Sequence, residues 1–403
     1  MIKKITIRNF KAIKELTIEF TPLTVLIGEN SSGKSTILQA LNFLCSTTSR
    51  DIDEYLKDRE WEYSDVKSQF SSKEEYVSFC TEICIDGVDL VWELSINSSD
   101  DDRWIIKEYI KNKETDECYL SLGCETDDTP YDFSQLNIKS SALKLINIDN
   151  ISDSSIKYNA ILRMLKAFMV TSSSFELLSI DKMRSRGSRS RVSDIGMGGE
   201  KLAAFIHRML PYRKNELNKM VSEFIGYDVK ITTTMKGQPG WVEVEMYITE
   251  TWDNSETKIS KRHISDGLLR IIAFSAILVN KGNRKSSQIA LLPDNVSVKG
   301  FILLDEIEDG INPTLSEKLM KHFRGLANES KRQVIMTSHS PVMINFVDSS
   351  DIQFMWRDRS GMIHSQPLFR TEAMKEMLDF LGPGEVWLNY GKERIIESLL
   401  GRR

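Results

Sequence analysis

A glycine-bounded loop with an internal lysine carries the clearest chemistry in this sequence. It comprises Gly28, Glu29, Asn30, Ser31, Ser32, Gly33, Lys34, Ser35 and Thr36. The pattern G-x-x-x-x-G-K-[ST] lets the backbone curl so that its N–H groups point at phosphate oxygens. Lys34 would then reach the β- and γ-phosphates of a nucleotide, and Ser35 would coordinate Mg²⁺. The alternative interpretation is a glycine- and serine-rich turn in front of an ordinary helix.

Two adjacent carboxylates form a second group that could do chemistry. Asp305 and Glu306 directly follow the apolar run 301–304, which predicts a buried parallel strand with ligands at its carboxyl end. Asp305 is suited to hold the Mg²⁺ shell, and Glu306 to orient or deprotonate an attacking water. The alternative is a strand end capped by acidic turn residues, which the phosphate loop in the same chain disfavours.

A histidine follows a second apolar run. Residues 334–336 lead into the polar tip Thr337-Ser338-His339-Ser340-Pro341, which repeats the design of a buried strand with a polar end. His339 could hydrogen-bond the γ-phosphate or the attacking water there. A histidine in isolation is more often structural, but the loop and the carboxylates upstream make His339 the third member of a catalytic set.

Apolar patterns predict the elements that position these groups. The run 23–27 predicts a strand before the loop, and a helix follows the loop to about Leu44. Alternation predicts strands at 3–7 and 16–20, a hairpin over 77–96 turned by Asp86-Gly87, and a second pair over 104–122. We expect the strands of 77–122 to form an antiparallel sheet distinct from the nucleotide-binding sheet.

Other segments are predicted from the same patterns. Helices are expected over 156–168, 202–210, 217–225 and 268–279, with a strand at 175–180 and a hairpin over 229–248. The segment 46–73 is polar and charged, and it is predicted to be a surface excursion rather than core.

Composition limits the classes of partner. The 403 residues carry a net charge of −5 with a pI of about 5.8, so no global positive field attracts nucleic acid or anionic lipid. The longest apolar stretch, 271–279, is too short to span a bilayer, and residues 1–9 lack a signal-peptide core. Five cysteines without zinc-site spacing are typical of a reducing compartment. We expect a cytoplasmic protein with no membrane contact.

A local basic cluster interrupts this acidic chain. Lys182, Arg184, Arg186, Arg189 and Arg191 lie within ten residues, separated mainly by serines. A solvated mobile loop is the simpler interpretation, and contact with nucleic acid, a phosphate or an acidic protein is the alternative. Aromatic residues that could stack bases are absent from the cluster, which argues against reading of single strands.

The order of four segments resembles the heads of ABC-type ATPases. These segments are Gly28 to Thr36, Ser265-Asp266-Gly267, Leu303-Leu304-Asp305-Glu306 and Thr337-Ser338-His339-Ser340-Pro341. They correspond in order to Walker A, the signature, Walker B and the switch histidine. Further motifs are similar to the prokaryotic OLD-like branch, related to SMC heads and RecF: Asn9-Phe10-Lys11, Gly199-Glu200, Glu306-Ile307-Glu308, Asn312-Pro313 and Gly384-Glu385-Val386-Trp387.

The resemblance implies an α/β fold and one ATPase head over residues 1–403. Its parts would be a mostly parallel P-loop sheet, an antiparallel β subdomain within an insertion at 46–170, and a helical signature-bearing lobe at 195–281. ATP and Mg²⁺ are the implied cofactors, with Ser35 and Asp305 holding the metal. Ser265, Asp266 and Gly267 of one subunit would close over ATP bound to Lys34 of another, which implies a homodimer or higher oligomer.

Two departures from the ABC pattern are visible. The segment 264–268, here called the signature segment, retains Ser265 and Gly267 but lacks the usual final glutamine. The glutamine of the family's Q-loop is not evident, although Gln69 and Gln135 are available.

The resemblance leads to two hypotheses for the biological role. About sixty residues follow Pro341, which we judge too few for the Toprim nuclease domain of OLD nucleases, so no intrinsic nuclease is expected. Head-only ATPase subunits of antiphage systems such as AriA of PARIS and PtuA of Septu are similar. That resemblance implies a scaffold that senses a phage-derived trigger and controls a separate effector, such as a Toprim-type or other nuclease. The alternative is a RecF-like repair ATPase that grips DNA as an ATP-dependent dimer.

Overall fold

The computed structural model describes residues 1–98, 104–123, 138–146, 156–176, 178–185, 187–188, 195–238, 241–252, 255–279 and 299–401. The strands are β1 (Ile2–Phe10), β2 (Ile13–Glu19), β3 (Leu23–Ile27), β4 (Val77–Ile85), β5 (Val88–Ser98), β6 (Trp104–Asn112), β7 (Cys118–Leu122), β8 (Ser173–Phe175), β9 (Gly187–Ser188), β10 (Val229–Gln238), β11 (Trp241–Trp252), β12 (Ser255–Ser260), β13 (Ile302–Leu304), β14 (Val334–Thr337), β15 (Ile352–Arg357) and β16 (Ile363–Pro367). The helices are α1 (Lys34–Thr47), α2 (Ile52–Asp58), α3 (Tyr63–Val66), α4 (Ile156–Val170), α5 (Ile180–Arg184), α6 (Leu202–Arg208), α7 (Pro211–Ile225), α8 (Asp266–Val279), α9 (Ser316–Glu329), α10 (Pro341–Ile344), α11 (Glu372–Glu376) and α12 (Pro383–Leu399).

A mostly parallel sheet carries the predicted site. Its strand order is β16-β15-β3-β14-β13-β8, and only the β15–β16 pair is antiparallel. The central strands are buried on both faces, as their apolar runs predict. Because parallel strands end at the same edge, the phosphate loop, the two carboxylates and the histidine meet there.

A separate antiparallel sheet has the order β2-β1-β4-β5-β6-β7. The predicted hairpin is confirmed, with Asp86 and Gly87 both at positive φ in its turn. Strands β4 to β7 continue the sheet that β1 and β2 begin. Gln333, at the start of β14, joins the two sheets because its amide accepts from Ile2 N at 2.9 Å and donates to Ile2 O at 2.8 Å.

The third sheet, β10-β11-β12 with β9 beside β11, belongs to the lobe that holds the signature segment. Helix α8 continues from that segment. The residues of α8 from Leu268 to Val279 are buried between this lobe and the parallel sheet. An apolar helix of this kind can be buried on all sides. It therefore fixes the signature segment rigidly at one end of the core.

Several sequence predictions need correction. The segment 46–73 is not a surface excursion, because α2 and α3 bury Ile52, Tyr55, Leu56 and Val66 in the core. The predicted strand at 175–180 is wrong, because β8 ends at Phe175 and α5 begins at Ile180; Leu177 lies outside the described residues. Strand β12 was not predicted, since its mostly exposed sequence lacks apolar alternation.

Candidate nucleotide-binding and hydrolysis site

The predicted phosphate loop lies between β3 and α1, at the carboxyl edge of the parallel sheet. Two of its glycines have no room for a side chain. A Cβ on Gly28 would lie 2.2 Å from the Met355 carbonyl oxygen, and one on Gly33 would lie 2.5 Å from Ile363 Cδ1. Both also have positive φ, 148° and 97°, which favours glycine. The close approach of the loop to β15 and β16 explains why these two positions are glycine.

Lys34 fills the centre of that curl. Its Nζ donates to the carbonyl oxygens of Gly28 and Glu29 at 3.0 and 2.8 Å, and the residue is only 5% exposed. Burial lowers the pKa of the Lys34 ammonium to about 8, although Asp305 and nearby glutamates oppose the shift. A buried cation held by loop carbonyls at a helix N-terminus matches a nucleotide's phosphate groups.

Ser35 and Asp305 supply the oxygen atoms that a magnesium ion requires. Ser35 Oγ donates to Asp305 Oδ1 at 3.2 Å, and Thr337 Oγ1 donates to the same oxygen at 2.6 Å. Burial raises the pKa of the Asp305 carboxyl, and these two hydroxyls oppose that rise. Hydroxyl and carboxylate oxygens suit Mg²⁺, so Ser35 and Asp305 would hold it. When bound, the ion would neutralise charge on the β- and γ-phosphates.

Glu306 turns away from the end of β13. Its φ is +48°, an uncommon conformation for a residue with a Cβ, held by a hydrogen bond from Glu306 N to Thr337 Oγ1 at 2.8 Å. Its side chain is exposed at the mouth of the site. Thr337 Oγ1 therefore hydrogen-bonds both the Asp305 carboxylate, which would hold the metal, and the backbone N–H of Glu306. The sequence pattern did not predict this link.

His339 and Glu308 form a further pair at this edge. The backbone N–H of His339 donates to Glu308 Oε1, and Glu308 Oε2 is buried without a hydrogen bond among the described atoms. Burial lowers the pKa of the half-buried His339 ring, and Lys34 adds to the shift while three carboxylates oppose it. The ring is therefore neutral at pH 7, and it can accept a hydrogen bond from water. Glu308 joins the candidates as an orienting carboxylate.

The signature segment lies elsewhere on the same chain. Ser265 and Asp266 are exposed at the N-terminus of α8. Arg184 supports the segment by donating to Ile264 O at 2.7 Å and by pairing with Asp266. Arg184, although part of the basic cluster, therefore binds the signature segment of its own chain. Lys182 is exposed, and Arg186, Arg189 and Arg191 lie outside the described residues.

The signature helix also contacts the turn that follows Glu306. A Cβ on Gly267 would lie 3.0 Å from Gly310 O, and Arg270 pairs with Asp309. The two motifs are therefore packed against each other within one chain.

A buried ion pair adjoins the metal-binding side of the site. Glu176, just after β8, accepts two hydrogen bonds from Arg59 and one from Asn42, at 2.8, 2.8 and 2.6 Å. The two charged side chains are 6% and 4% exposed. The sequence did not predict a role for Glu176, because its partner lies 117 residues earlier.

Of the two candidates for the glutamine of the Q-loop, Gln69 is exposed between α3 and β4 and Gln135 lies outside the described residues.

The structure brings together Lys34, Ser35, Asp305, Glu306 and His339, as the sequence predicted. A loop curled around a lysine, with carboxylates at adjacent strand ends, defines the class: this is a P-loop ATPase head. In the part of the chain that is described, no helix combines the length and apolar character needed to cross a membrane.

The chain belongs to the family described as "AAA domain, putative AbiEii toxin, Type IV TA system", whose model matches residues 23–345. A curated relative is the DNA replication and repair protein RecF of Lachnoclostridium phytofermentans, 43% identical over 49 residues. That match covers 12% of this chain and 13% of the RecF chain.

Three solved structures are similar to this chain, and the first of them supports the fold. The SMC head bound to the C-winged helix domain of ScpA is similar, with a TM-score of 0.56 at 16% identity, and the match covers 93% of this chain and 99% of that one. The SMC head of Thermotoga maritima gives a TM-score of 0.47 at 11% identity over 91% and 98% of the two chains. The recombination mediator RecF gives 0.41 at 16% identity over 91% and 98%. The first match shows that this ATPase has the fold of an SMC head.

Proposed function

We propose that the protein hydrolyses ATP between two of its copies and that this cycle controls a separate effector in antiphage defence. The observation that carries the ATPase part is the cluster of Lys34, Asp305, Glu306 and His339 around one loop. Ser265, in contrast, is exposed just before α8. A second copy could present its Ser265 to the γ-phosphate that Lys34 holds, which would complete the site.

Each side chain has a distinct task in this proposal. Lys34 binds the β- and γ-phosphates, and Ser35 and Asp305 hold Mg²⁺. Glu306 accepts a proton from the attacking water, because its carboxylate is exposed beside the loop. Neutral His339 orients that water or the γ-phosphate, and Thr337 keeps Asp305 and Glu306 in register through its single hydroxyl.

The defence role draws on the family description. The family description names a putative toxin of a type IV toxin–antitoxin system, and such a system has two components. In the described residues after Pro341, β15, β16 and helices α10 to α12 complete the ATPase head itself. Within such a two-component scheme, we propose that this chain is the ATP-dependent regulator and that a separate effector, a Toprim-type or other nuclease, is released by a phage-derived trigger.

Expression with and without the neighbouring genes tests this role. Cells carrying the locus should survive phage challenge better than cells carrying the Glu306→Gln version, and tagged protein should retain the neighbour's product on a column. Equal plating efficiency together with the absence of a co-purified neighbour would contradict the defence proposal. The ATPase proposal would stand.

A RecF-like role in DNA repair is the second candidate, favoured by the 49-residue match to RecF. An ATP-dependent dimer would then grip DNA. Filter binding with and without ATP distinguishes the two roles, because DNA gripping should require ATP and weaken steeply with salt. Salt-sensitive, ATP-dependent retention of duplex DNA would favour repair over effector control.

A further inference from the structure

The last helix of the chain reaches back to the phosphate loop. Lys392 Nζ donates to Glu29 Oε2 at 2.8 Å, although 363 residues separate the two. Glu29 occupies a variable position of the loop motif, and its carboxylate cannot donate a hydrogen bond to a phosphate. A carboxylate beside a triphosphate repels it. A cation that neutralises Glu29 therefore removes a charge that opposes nucleotide binding.

The backbone of α12 is shaped to deliver this cation. The helix is interrupted at Gly391, where φ is 68° and ψ is 163°, a region that essentially only glycine occupies. A Cβ on Gly391 would meet nothing within 4 Å, so glycine is required for its conformation rather than for space. Lys392 is the next residue, and the interruption directs it towards the loop.

A cavity of about 250 Å³ with both polar and apolar lining adjoins the contact. Its lining includes Glu29, Asn30 and Ser31 from the loop, Arg357 from the end of β15, and Lys392. Lys392 is 33% exposed and Glu29 is 58% exposed. The pair is thus open to solvent on the side where the loop faces the cavity, and its charges can act on a ligand of the loop.

We propose that Lys392 is a positioning residue for nucleotide, which cancels the charge of Glu29 and so sets the affinity of the loop for ATP. The inference rests on the proposed binding of ATP by this loop. It makes α12 a part of the nucleotide site, and it gives the interruption at Gly391 a function.

Nucleotide titration of purified variants tests the inference. Lys392→Ala should weaken ATP binding about two- to fivefold, the range expected for a partly exposed ion pair. Turnover at saturating ATP should stay at the wild-type value. The loss should shrink as salt is raised from roughly 0.05 to 0.5 M, because salt screens such charges. Lys375→Ala is the matched control, since Lys375 pairs with Glu372 on α11.

A second substitution separates charge cancellation from a structural role. Adding Glu29→Gln to Lys392→Ala should restore wild-type affinity, because no carboxylate then remains to be neutralised. Gly391→Ala should weaken binding as Lys392→Ala does. Wild-type affinity in Lys392→Ala at low salt, or no recovery in the double variant, would overturn the inference. If the wild-type protein bound no ATP, the proposed function would fail as well.

Discussion

In the proposed mechanism the phosphate loop and the signature segment contribute to one ATPase site, yet they are built differently. On the loop side Lys34 is buried and bonded to two carbonyls, and Asp305 is held by two hydroxyls. On the signature side Ser265 and Asp266 are exposed. The backbone of the signature segment is held by the hydrogen bond from Arg184 to Ile264 and by the packing of Gly267 on Gly310.

The difference indicates where each half finds its partner. The loop side is organised to receive phosphate within a single chain. Among the described residues, no hydrogen bond joins Ser265 to a side chain of the loop. A rigid, exposed serine at a helix N-terminus suits an anion brought by another molecule. This difference favours shared sites between two copies.

Glu306→Gln should give the largest effect. Removal of a general base typically slows the chemical step by about 10²- to 10⁴-fold. ATP affinity should remain, because the amide keeps the size of the side chain, and an ATP-bound assembly should accumulate in size-exclusion chromatography. Steady-state phosphate release measures the rate. Unchanged turnover would reassign the base, and Glu308→Gln would then be the next variant to examine.

Lys34→Ala should break the loop half. Hydrogen bonds to charged groups contribute about 1.5–3 kcal/mol, so ATP affinity should fall about 10- to 100-fold. Calorimetric titration measures it, and Lys375→Ala serves again as the surface control. Retained affinity in Lys34→Ala would show that the nucleotide binds elsewhere.

The lowered pKa of Lys34 predicts a pH dependence of the same half. The nucleotide binds the charged ammonium, whose pKa in the free protein is about 8. Affinity should therefore be full below pH 8 and fall about tenfold per unit as pH rises above it, until the higher pKa of the bound state is reached. Binding at pH 8.5 should take up most of one proton. Calorimetry in two buffers of different ionisation enthalpy detects this uptake, and its absence would contradict the assignment.

The phosphate loop could be predicted from the sequence because the residues that define it are close together in the chain. A strand, a glycine pattern and a lysine lie within fourteen residues, 23–36, and the carboxylates follow an apolar run directly. The contacts that organise the site are distant in sequence. Thr337 meets Asp305 across 32 residues, and Arg184 meets Ile264 across 80.

The secondary structure likewise divides into elements that local patterns predict and elements that depend on distant contacts. Alternating strands such as β4 and β5 were evident, since period-two patterns report a half-buried face. The burial of α2 and α3 was missed, because short helices offer few apolar positions among charged ones. The strand predicted at 175–180 ends at Phe175, and the charge of the next residue, Glu176, is buried against Arg59.

Arg184→Ala should give the smallest effect and should break only the signature half. It removes hydrogen bonds to Ile264 and Asp266, which together contribute about 1 kcal/mol in a half-exposed site. ATP-dependent association should weaken about fivefold, with the ATP affinity of the isolated chain unchanged. Analytical ultracentrifugation with ATP measures it. Lys182→Ala, an exposed cation of the same cluster, should associate normally, and an equal loss there would mean that overall charge is responsible.

In the proposed mechanism Glu306 of one chain and Ser265 of another serve the same ATP. Mixing Glu306→Gln chains with Ser265→Ala chains tests it most directly, because a mixed dimer would contain one site with both substitutions and one site with neither. We predict that ATP turnover in the mixture rises well above that of either variant alone. Turnover equal to the average of the two separate variants would contradict the shared site.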